Sequence, residues 1–284
     1  MTNRYVSCSF IGQLGNQLFM IAATLSYAWD HRAIATFPGL HDSNYRLSYN
    51  RDRIFFRLNT FQPPTPWIKE FAHTYWYPVH RIPYCEDNLF LTGYYQSWHH
   101  FHHHREKLLS LFAPHPDTLD YLSQKYRDLL QHPYTVAIHV RTYCLRDHKA
   151  LPFLGLDYIK DSIKLFPGSP QFLVFSDRIN WCKKHFEPLQ GNFIFIEGND
   201  GIQDFALMSL CKHNIIANST FSWWAAYLNQ HDQKKVVAPA LVYRSGPTHH
   251  FYCPEWIQIP VDIQPYPEDM RAYDEVSQSF DNND

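Results

Sequence analysis

The chain has 284 residues, enough to bury a sizeable core as one large domain or as two of ordinary size. Its formal net charge of −2 and isoelectric point near 6.8 provide no global positive field, which excludes partners such as nucleic acid that are held by overall charge. Any phosphate site must therefore be local.

No stretch approaches the ~20 apolar residues of a membrane span, and the first ten residues lack the basic and apolar segments of a signal peptide. The six cysteines are scattered and show no CxxC spacing, so we expect them to be reduced. These features favour a cytoplasmic protein without an integral membrane segment, with peripheral binding to the inner face of a membrane left open.

The chain begins with a pattern of strand, glycine loop and helix. Residues 4–11 predict a strand, residues 12–17 a loop, and apolar residues at helical spacing follow from Leu18. Such a loop turns backbone N–H groups at a helix N-terminus towards an anion or a polar ligand. It has neither the GxGxxG order of a dinucleotide loop nor the GKS/T of a phosphate loop, so a simple packing turn stays open. Asn16 is the side chain that we expect to reach a cleft.

The pattern then becomes irregular over residues 36–88, and loops this long are often functional or mobile. A strand is predicted at 89–96. A histidine-rich segment at 98–104 follows and leads into a helix that ends at Phe112. Consecutive histidines point around several faces of a helix and cannot all converge on one ion, so we expect a surface cluster there and not a metal site.

A polar amphipathic helix is predicted over 117–131, and His132 and Pro133 end it. Beyond that point strands alternate with helices. The predicted strands are 134–140, 171–176, 193–196, 214–217 and 235–238, and the predicted helices are 157–165, 178–186, 201–212 and 220–230. This alternation predicts a doubly wound parallel sheet with right-handed crossovers. We divide the chain into domains at 1–132 and 133–260, followed by an acidic tail at 261–284.

The strand at 134–140 is apolar and rich in β-branched residues, and His139 and Arg141 lie at its carboxyl end. Ligands of open α/β sheets bind at that end of the strands. An arginine two residues from a histidine on the same strand face suits an anionic group such as a pyrophosphate. An arginine that only pairs with a nearby carboxylate is the alternative.

Three more polar features follow later strands. Asp177 ends the strand at 171–176, and Asp204 lies in the first turn of a helix, where the dipole favours an acid in any case. Hydroxyl residues at 219–222 stand where a strand runs into a helix. They are ordinary N-cap residues, but beside an arginine in a doubly wound sheet the same cap is a phosphate cradle.

Five segments together resemble the α1,2-fucosyltransferases, in the same order and over nearly the whole chain to about residue 260. They are residues 12–19 (GQLGNQLF), 93–96 (GYYQ), 139–141 (HVR), 155–158 (GLDY) and 211–228 (CKHNIIANSTFSWWAAYL). The resemblance implies a B-type glycosyltransferase fold, an α/β architecture of two Rossmann-like domains facing a cleft. It also implies an inverting enzyme that needs no metal or other cofactor, and the chain contains no Asp-x-Asp pair.

The same resemblance assigns roles to single residues. Arg141 matches the arginine that neutralises the β-phosphate as GDP leaves, and His139 matches its neighbour at the nucleotide. Asp204 matches the acid that accepts hydrogen bonds from guanine. The other candidates for binding GDP-fucose are Asn16, Asp177, Asn218, Ser219, Thr220 and Phe221. Of these, Asn16 would reach across from the N-terminal domain, and residues 218–220 would cap the pyrophosphate.

The chain departs from the family at one place. Many relatives continue the strand as His-x-Arg-Arg-Gly-Asp, whereas residues 142–144 here are Thr, Tyr and Cys. This departure leaves three possibilities open: the chain lacks one phosphate contact, it uses a different base, or it has lost activity. Asp147 and His148 follow closely, and we take them as candidate catalytic residues.

The expected function is transfer of L-fucose from GDP-β-L-fucose to the 2-hydroxyl of a terminal galactose on a glycan, with inversion. Rings at 75–77 and 94–98 are candidates for stacking on the acceptor, although we expect most of them to be core. Two alternatives stay open: a transferase with another GDP-sugar or linkage, and an idle protein that binds nucleotide sugar or glycan.

Overall fold

The computed structural model describes residues 3–73, 81–143, 149–245 and 250–270. The chain forms two compact units, one of Met1–Lys125 with His249–Cys253 and one of Tyr126–Thr248 with Pro254–Asp284. The domain boundary that we place after residue 132 stays a prediction. Among the described residues, no helix has both the length and the apolar character of a membrane span. The candidates Asp147 and His148, with Cys144 and the rings at 75–77, lie outside the described residues.

The first unit contains a parallel sheet with the strand order β2-β1-β4-β3. Its strands are β1 (Tyr5–Cys8), β2 (Ile34–Ala35), β3 (Lys69–Ala72) and β4 (Leu89–Thr92). Its helices are α1 (Leu14–His31), α2 (Leu47–Arg53), α3 (Arg105–Leu111) and α4 (Pro116–Lys125). Helix α1 is the centre of this unit, because every residue from 14 to 28 except Asn16 is buried.

The second unit contains a parallel sheet with the order β10-β9-β8-β5-β6-β7. Its strands are β5 (Thr135–Val140), β6 (Gln171–Ser176), β7 (Asn192–Phe195), β8 (His213–Ile215), β9 (Val236–Pro239) and β10 (Ile257–Ile259). Its helices are α5 (Arg127–Gln131), α6 (Gly155–Ile163), α7 (Ile179–Phe186), α8 (Gly201–Leu210) and α9 (Thr220–Leu228). The predicted doubly wound parallel sheet is confirmed.

The strand order of the second sheet reverses between β5 and β8. The chain runs outward from β5 through β6 to β7, and then returns to the other side of β5. Ligands of doubly wound sheets bind at the carboxyl ends of the two strands that flank such a reversal. Strand β5 is buried along its whole length, as its run of β-branched and apolar residues predicts.

Three local differences from the sequence-based expectations have physical reasons. The helix predicted over 117–131 is two helices, α4 and α5, because Tyr126 has a non-helical backbone (φ −117°, ψ 26°). Strand β4 ends before Gly93, whose φ of +108° turns the chain next to the carbonyl of His73. Elements β2, β3, α2 and β10 were not predicted, since they are short and carry little periodicity of their own.

Candidate active site at the carboxyl edge of the second sheet

Among the described residues, the sequence candidates of the second unit lie at one edge of its sheet. Arg141 follows β5, Asp177 follows β6, Asp204 lies in α8 after β7, and residues 218–220 join β8 to α9. Because all these strands are parallel, their carboxyl ends meet at the same edge. Arg141 and the start of α9 flank the reversal of strand order.

Arg141 is held by Asp177. Val140 lies opposite Ser176 in the register of β5 and β6, so the next residue of each strand is also adjacent. Nη1 of Arg141 donates to Oδ2 of Asp177 at 2.8 Å, and the Thr142 N–H donates to Oδ1 at 3.0 Å. The pairing that the sequence left open is present. The Arg141 side chain is nevertheless 39% exposed, and a guanidinium has five N–H donors, so it can also bind an anion.

His139 lies beneath this edge, and its side chain is buried. Its ring centroid is 5.7 Å from that of Phe221, and its Nδ1 has no hydrogen-bond partner among the described residues. The pKa of His139 is lowered to about 4, mainly by burial, with Asp177 acting to raise it and Arg141 to lower it. The imidazole is therefore neutral at pH 7 and offers a polar atom but no charge.

Tyr143 stands at the position to which the family resemblance assigns a glycine, and its backbone conformation is one that favours glycine. Its φ of +57° lies in the left-handed region, which costs a non-glycine residue roughly 1–2 kcal/mol. Its hydroxyl donates to the carbonyl of Asn218 at 2.7 Å, and its carbonyl accepts from the Tyr266 hydroxyl at 3.0 Å. The guanidinium carbon of Arg141 is 5.2 Å from the Tyr143 ring centroid. Tyr143 thus connects the arginine to the segment that begins α9.

The side chains of Asn218 and Ser219 stabilise their own segment. Asn218 is buried, and its Nδ2 donates to the carbonyls of Pro152 and Val242, both at 3.0 Å. The Ser219 hydroxyl accepts from the Phe221 N–H at 3.3 Å, which makes Ser219 the N-cap of α9. An anion at this helix end would therefore meet backbone N–H groups of the first turn, which begins with Thr220.

Asp204 is held in place within the first turn of α8. Its Oδ1 accepts from Nδ2 of Asn199 at 3.0 Å, and Oδ1 of Asn199 accepts from the Tyr126 hydroxyl at 3.0 Å. The helix begins with a capping box in which Asp200 and Gln203 bond each other's backbone N–H at 2.8 and 2.9 Å. The carboxylate is consequently presented from a rigid helix start.

Asn16 belongs to the first unit. It lies in the first turn of α1, and its Oδ1 accepts from Nε2 of Gln96 at 2.9 Å. Gly12 in the preceding loop has a φ of +77°, and a Cβ there would lie 2.4 Å from Nδ2 of Asn16. The glycine is therefore required for the backbone turn and for the close approach of Asn16.

Sequence reasoning missed Gln17, which organises this loop. Its Nε2 donates to the carbonyls of Gly12 and Tyr45, both at 2.9 Å, and its Oε1 accepts from Nδ2 of Asn50 at 2.8 Å. The available signal was a polar residue on a helix whose neighbours are almost all buried.

Comparisons with known proteins agree with this architecture. The family described as Glycosyl transferase family 11 matches residues 67–260. The alpha-1,2-colitosyltransferase of Escherichia coli is 35% identical over 179 residues, which are 59% of this chain and 61% of that protein. The galactoside alpha-(1,2)-fucosyltransferase 1 of Leontopithecus chrysomelas is 26% identical over 284 residues, which are 89% of this chain and 74% of that protein. The chain thus spans about six tenths of the length of its Escherichia coli relatives.

Among solved structures, the chain is similar to the alpha-1,6-fucosyltransferase NodZ from Bradyrhizobium, co-crystallized with GDP. The TM-score is 0.58 at 12% identity, and the match covers 79% of this chain and 92% of NodZ. At this identity the similarity concerns the fold alone. The B-type fold that the sequence predicts is confirmed.

Proposed function

The chain belongs to glycosyl transferase family 11, and from this membership we propose that it transfers L-fucose from GDP-β-L-fucose to the 2-hydroxyl of a terminal galactose. One observation carries the proposal: Arg141, oriented by Asp177, stands at the carboxyl end of β5, beside the reversal of strand order. A fixed, exposed cation at this point suits a diphosphate leaving group.

The proposed reaction is a direct displacement with inversion. The galactose 2-hydroxyl attacks the anomeric carbon of fucose while the bond from that carbon to the β-phosphate oxygen breaks. Positive charge develops on the sugar and negative charge on the departing GDP. The guanidinium of Arg141 and the N–H groups at the start of α9 would stabilise that negative charge.

The remaining candidates bind the donor or remove a proton. The carboxylate of Asp204 would accept the paired N1–H and amino donors of guanine. Neutral His139 would lie next to the nucleotide, and Asn16 would contact the diphosphate or the fucose. Asp147 and His148 remain our candidates for the base that takes the hydroxyl proton.

We propose that the transfer needs no metal ion or other cofactor. Arg141 and the start of α9 would supply positive charge and oriented dipoles to the same leaving group. Assays with and without EDTA test this directly. A rate that falls with EDTA and recovers with a divalent cation would contradict it.

The test of the function is GDP release and product linkage with GDP-fucose and a panel of β-galactosides. We expect an α1,2-fucosylated product from the wild type, and a loss of about a hundredfold or more in Arg141→Ala, equivalent to ~2.7 kcal/mol of barrier lowering. The exposed Arg127, on α5, provides a matched control, and Arg127→Ala should keep the wild-type rate.

Two other outcomes would replace this proposal. The Escherichia coli relative is named a colitosyltransferase, so the same acceptors should be assayed with GDP-colitose. A higher kcat/KM with that donor would favour a colitosyltransferase. Binding of GDP-fucose without turnover on any acceptor would favour a nucleotide-sugar-binding protein.

A further inference from the structure

Three potential metal ligands of the first unit lie close together and form a cluster: Asp30, His103 and His104. Nε2 of His103 lies 3.0 Å from Oδ2 of Asp30, and Nε2 of His104 lies 2.8 Å from Oδ1. The three ligand atoms all lie within 4.8 Å of one another. Asp30 is at the end of α1, whereas the histidines form a short 3-10 helix more than seventy residues later.

Only part of the histidine-rich segment takes part. His99 stacks on Trp98 with ring centroids 3.7 Å apart. His100 packs edge-on against His73, with 5.3 Å between their ring centroids. The expectation that these histidines cannot all converge therefore holds for His99 and His100. His103 and His104 behave differently, because their ring centroids are only 4.4 Å apart and both Nε2 atoms face one carboxylate.

The surroundings orient the cluster. His104 is 16% exposed and packs edge-on against Trp29, with 4.9 Å between ring centroids. The hydroxyl of Ser26 lies 3.3 Å from Nε2 of His103 and adds an oxygen near the ligand atoms. The Asp30 side chain is 40% exposed, so a cation can reach its carboxylate.

The donor set determines which cation fits. Two imidazole nitrogens and one carboxylate suit Zn²⁺, Co²⁺ or Ni²⁺ and not Mg²⁺ or Ca²⁺, which prefer oxygen ligands. With bonds of about 2.0–2.1 Å, ligand atoms around such an ion are about 3–3.5 Å apart. The two nitrogen–oxygen distances are already close to this separation, and the three ligand atoms all lie within 4.8 Å of one another.

We propose that Asp30, His103 and His104 form a binding site for a divalent transition metal, with Zn²⁺ as the best-fitting ion. The site is separate from the carboxyl edge of the second sheet and independent of the function proposed above. Water completes the coordination, since Asp30 and His103 are 40% and 50% exposed. The ion cross-links the end of α1 to the 3-10 helix, so it stabilises the folded chain by binding it in preference to the unfolded one.

The test uses untagged full-length protein, stripped of metal and titrated with Zn²⁺ by calorimetry. We expect one equivalent to bind, and affinity to fall at least about tenfold in Asp30→Asn, in His103→Gln and in His104→Gln. His102 lies in the same 3-10 helix, but its ring packs against Trp98, with 5.5 Å between the ring centroids. His102→Gln is therefore the matched control and should bind Zn²⁺ as the wild type does. Circular dichroism verifies that each variant is folded.

A second measurement identifies the ligands by spectroscopy. Co²⁺ bound by two histidines and a carboxylate should give visible absorption distinct from that of aqueous Co²⁺, and Asp30→Asn should remove it. The proposal is overturned if the wild type binds no stoichiometric Zn²⁺, if the three ligand variants bind as tightly as the wild type, or if Co²⁺ keeps its aqueous spectrum. Fucose transfer plays no part in these readouts.

Discussion

Asp177 uses both carboxylate oxygens to fix the end of β5: Oδ2 accepts from Nη1 of Arg141 at 2.8 Å, and Oδ1 accepts from the Thr142 N–H at 3.0 Å. The direction of the guanidinium is thus set by the neighbouring strand. An arginine oriented before the donor binds needs no reorganisation during the reaction. Asp177 therefore acts on the proposed transfer as a positioning residue.

The first prediction concerns Asp177→Asn, which keeps the shape of the side chain and removes its charge. We expect kcat for fucose transfer to fall about tenfold, less than in Arg141→Ala, because the guanidinium is present but less well oriented. In the Arg141→Ala background the same substitution should cost almost nothing, since residues that act as a unit are not additive. Full additivity in this double-mutant cycle would show that Asp177 acts independently of Arg141.

A matched control for that cycle lies on the surface of α6. Asp161 forms an exposed ion pair with Lys164 at 2.6 Å, and its side chain is 55% exposed. Asp161→Asn removes the same charge from a pair that belongs to no candidate site. Its rate of transfer should match the wild type in both backgrounds.

Much of this site could be predicted from sequence because it depends on local order along the chain. A strand as apolar as 134–140 must be buried, and polar residues at its end must lie at the sheet edge where ligands bind. The same reasoning located Asp204 at a helix start and the residues before α9. Each of these inferences needs only the few residues next to it.

Other contacts could not be predicted because they depend on which segments become neighbours. The pairing of Arg141 with Asp177 follows from the register of β5 on β6, which the sequence does not state. The approach of His103 to Asp30 spans 73 positions. In the sequence, Tyr143 is a departure from the family pattern. Only the structure shows that its backbone has the left-handed conformation that favours glycine.

The second prediction concerns His139 and the pH dependence of stability. Its pKa in the folded protein is about 4, below the ordinary value near 6.5. As pH falls below 6.5, the unfolded chain therefore binds a proton at His139 that the folded chain does not bind. The contribution of neutral His139 to the free energy of unfolding is complete above pH 6.5 and is lost as pH falls towards 4. The loss is on the order of 3 kcal/mol. In urea unfolding from pH 8 to pH 4, the wild type should lose more stability than His139→Gln by this amount, because His100, whose pKa is lowered to about 3 mainly by burial, contributes in both proteins.

A direct measurement on the ring accompanies the pH series. Ring signals of His139 in a nuclear magnetic resonance titration should stay at their neutral positions down to about pH 5. Titration near pH 6.5 in the folded protein would refute the assignment even if the variant failed to fold.

The third prediction concerns Gln17, which is fully buried and bonded to Gly12, Tyr45 and Asn50. Gln17→Leu leaves two carbonyls and one amide without their hydrogen-bond partner. We therefore expect the free energy of unfolding to fall by about 2–4 kcal/mol. Chemical denaturation measures this. Gln13, four residues earlier, is exposed and makes no capping hydrogen bond with its side chain, so Gln13→Ala should cost little. Equal losses in the two variants would contradict a special role for Gln17.

The last prediction separates the two contributions of Tyr143. Tyr143→Phe removes the 2.7 Å bond to the Asn218 carbonyl and should cost about 1–3 kcal/mol of stability, while kcat stays within about twofold because the ring remains under Arg141. Tyr143→Leu also removes the ring, and the lost cation–π contact of about 0.5–1 kcal/mol should lower kcat two- to fivefold. Tyr143→Gly restores the family residue, relieves the left-handed strain and should remain active. Transfer that is abolished in Tyr143→Phe would show that the hydroxyl takes part in the chemistry and does more than support the arginine.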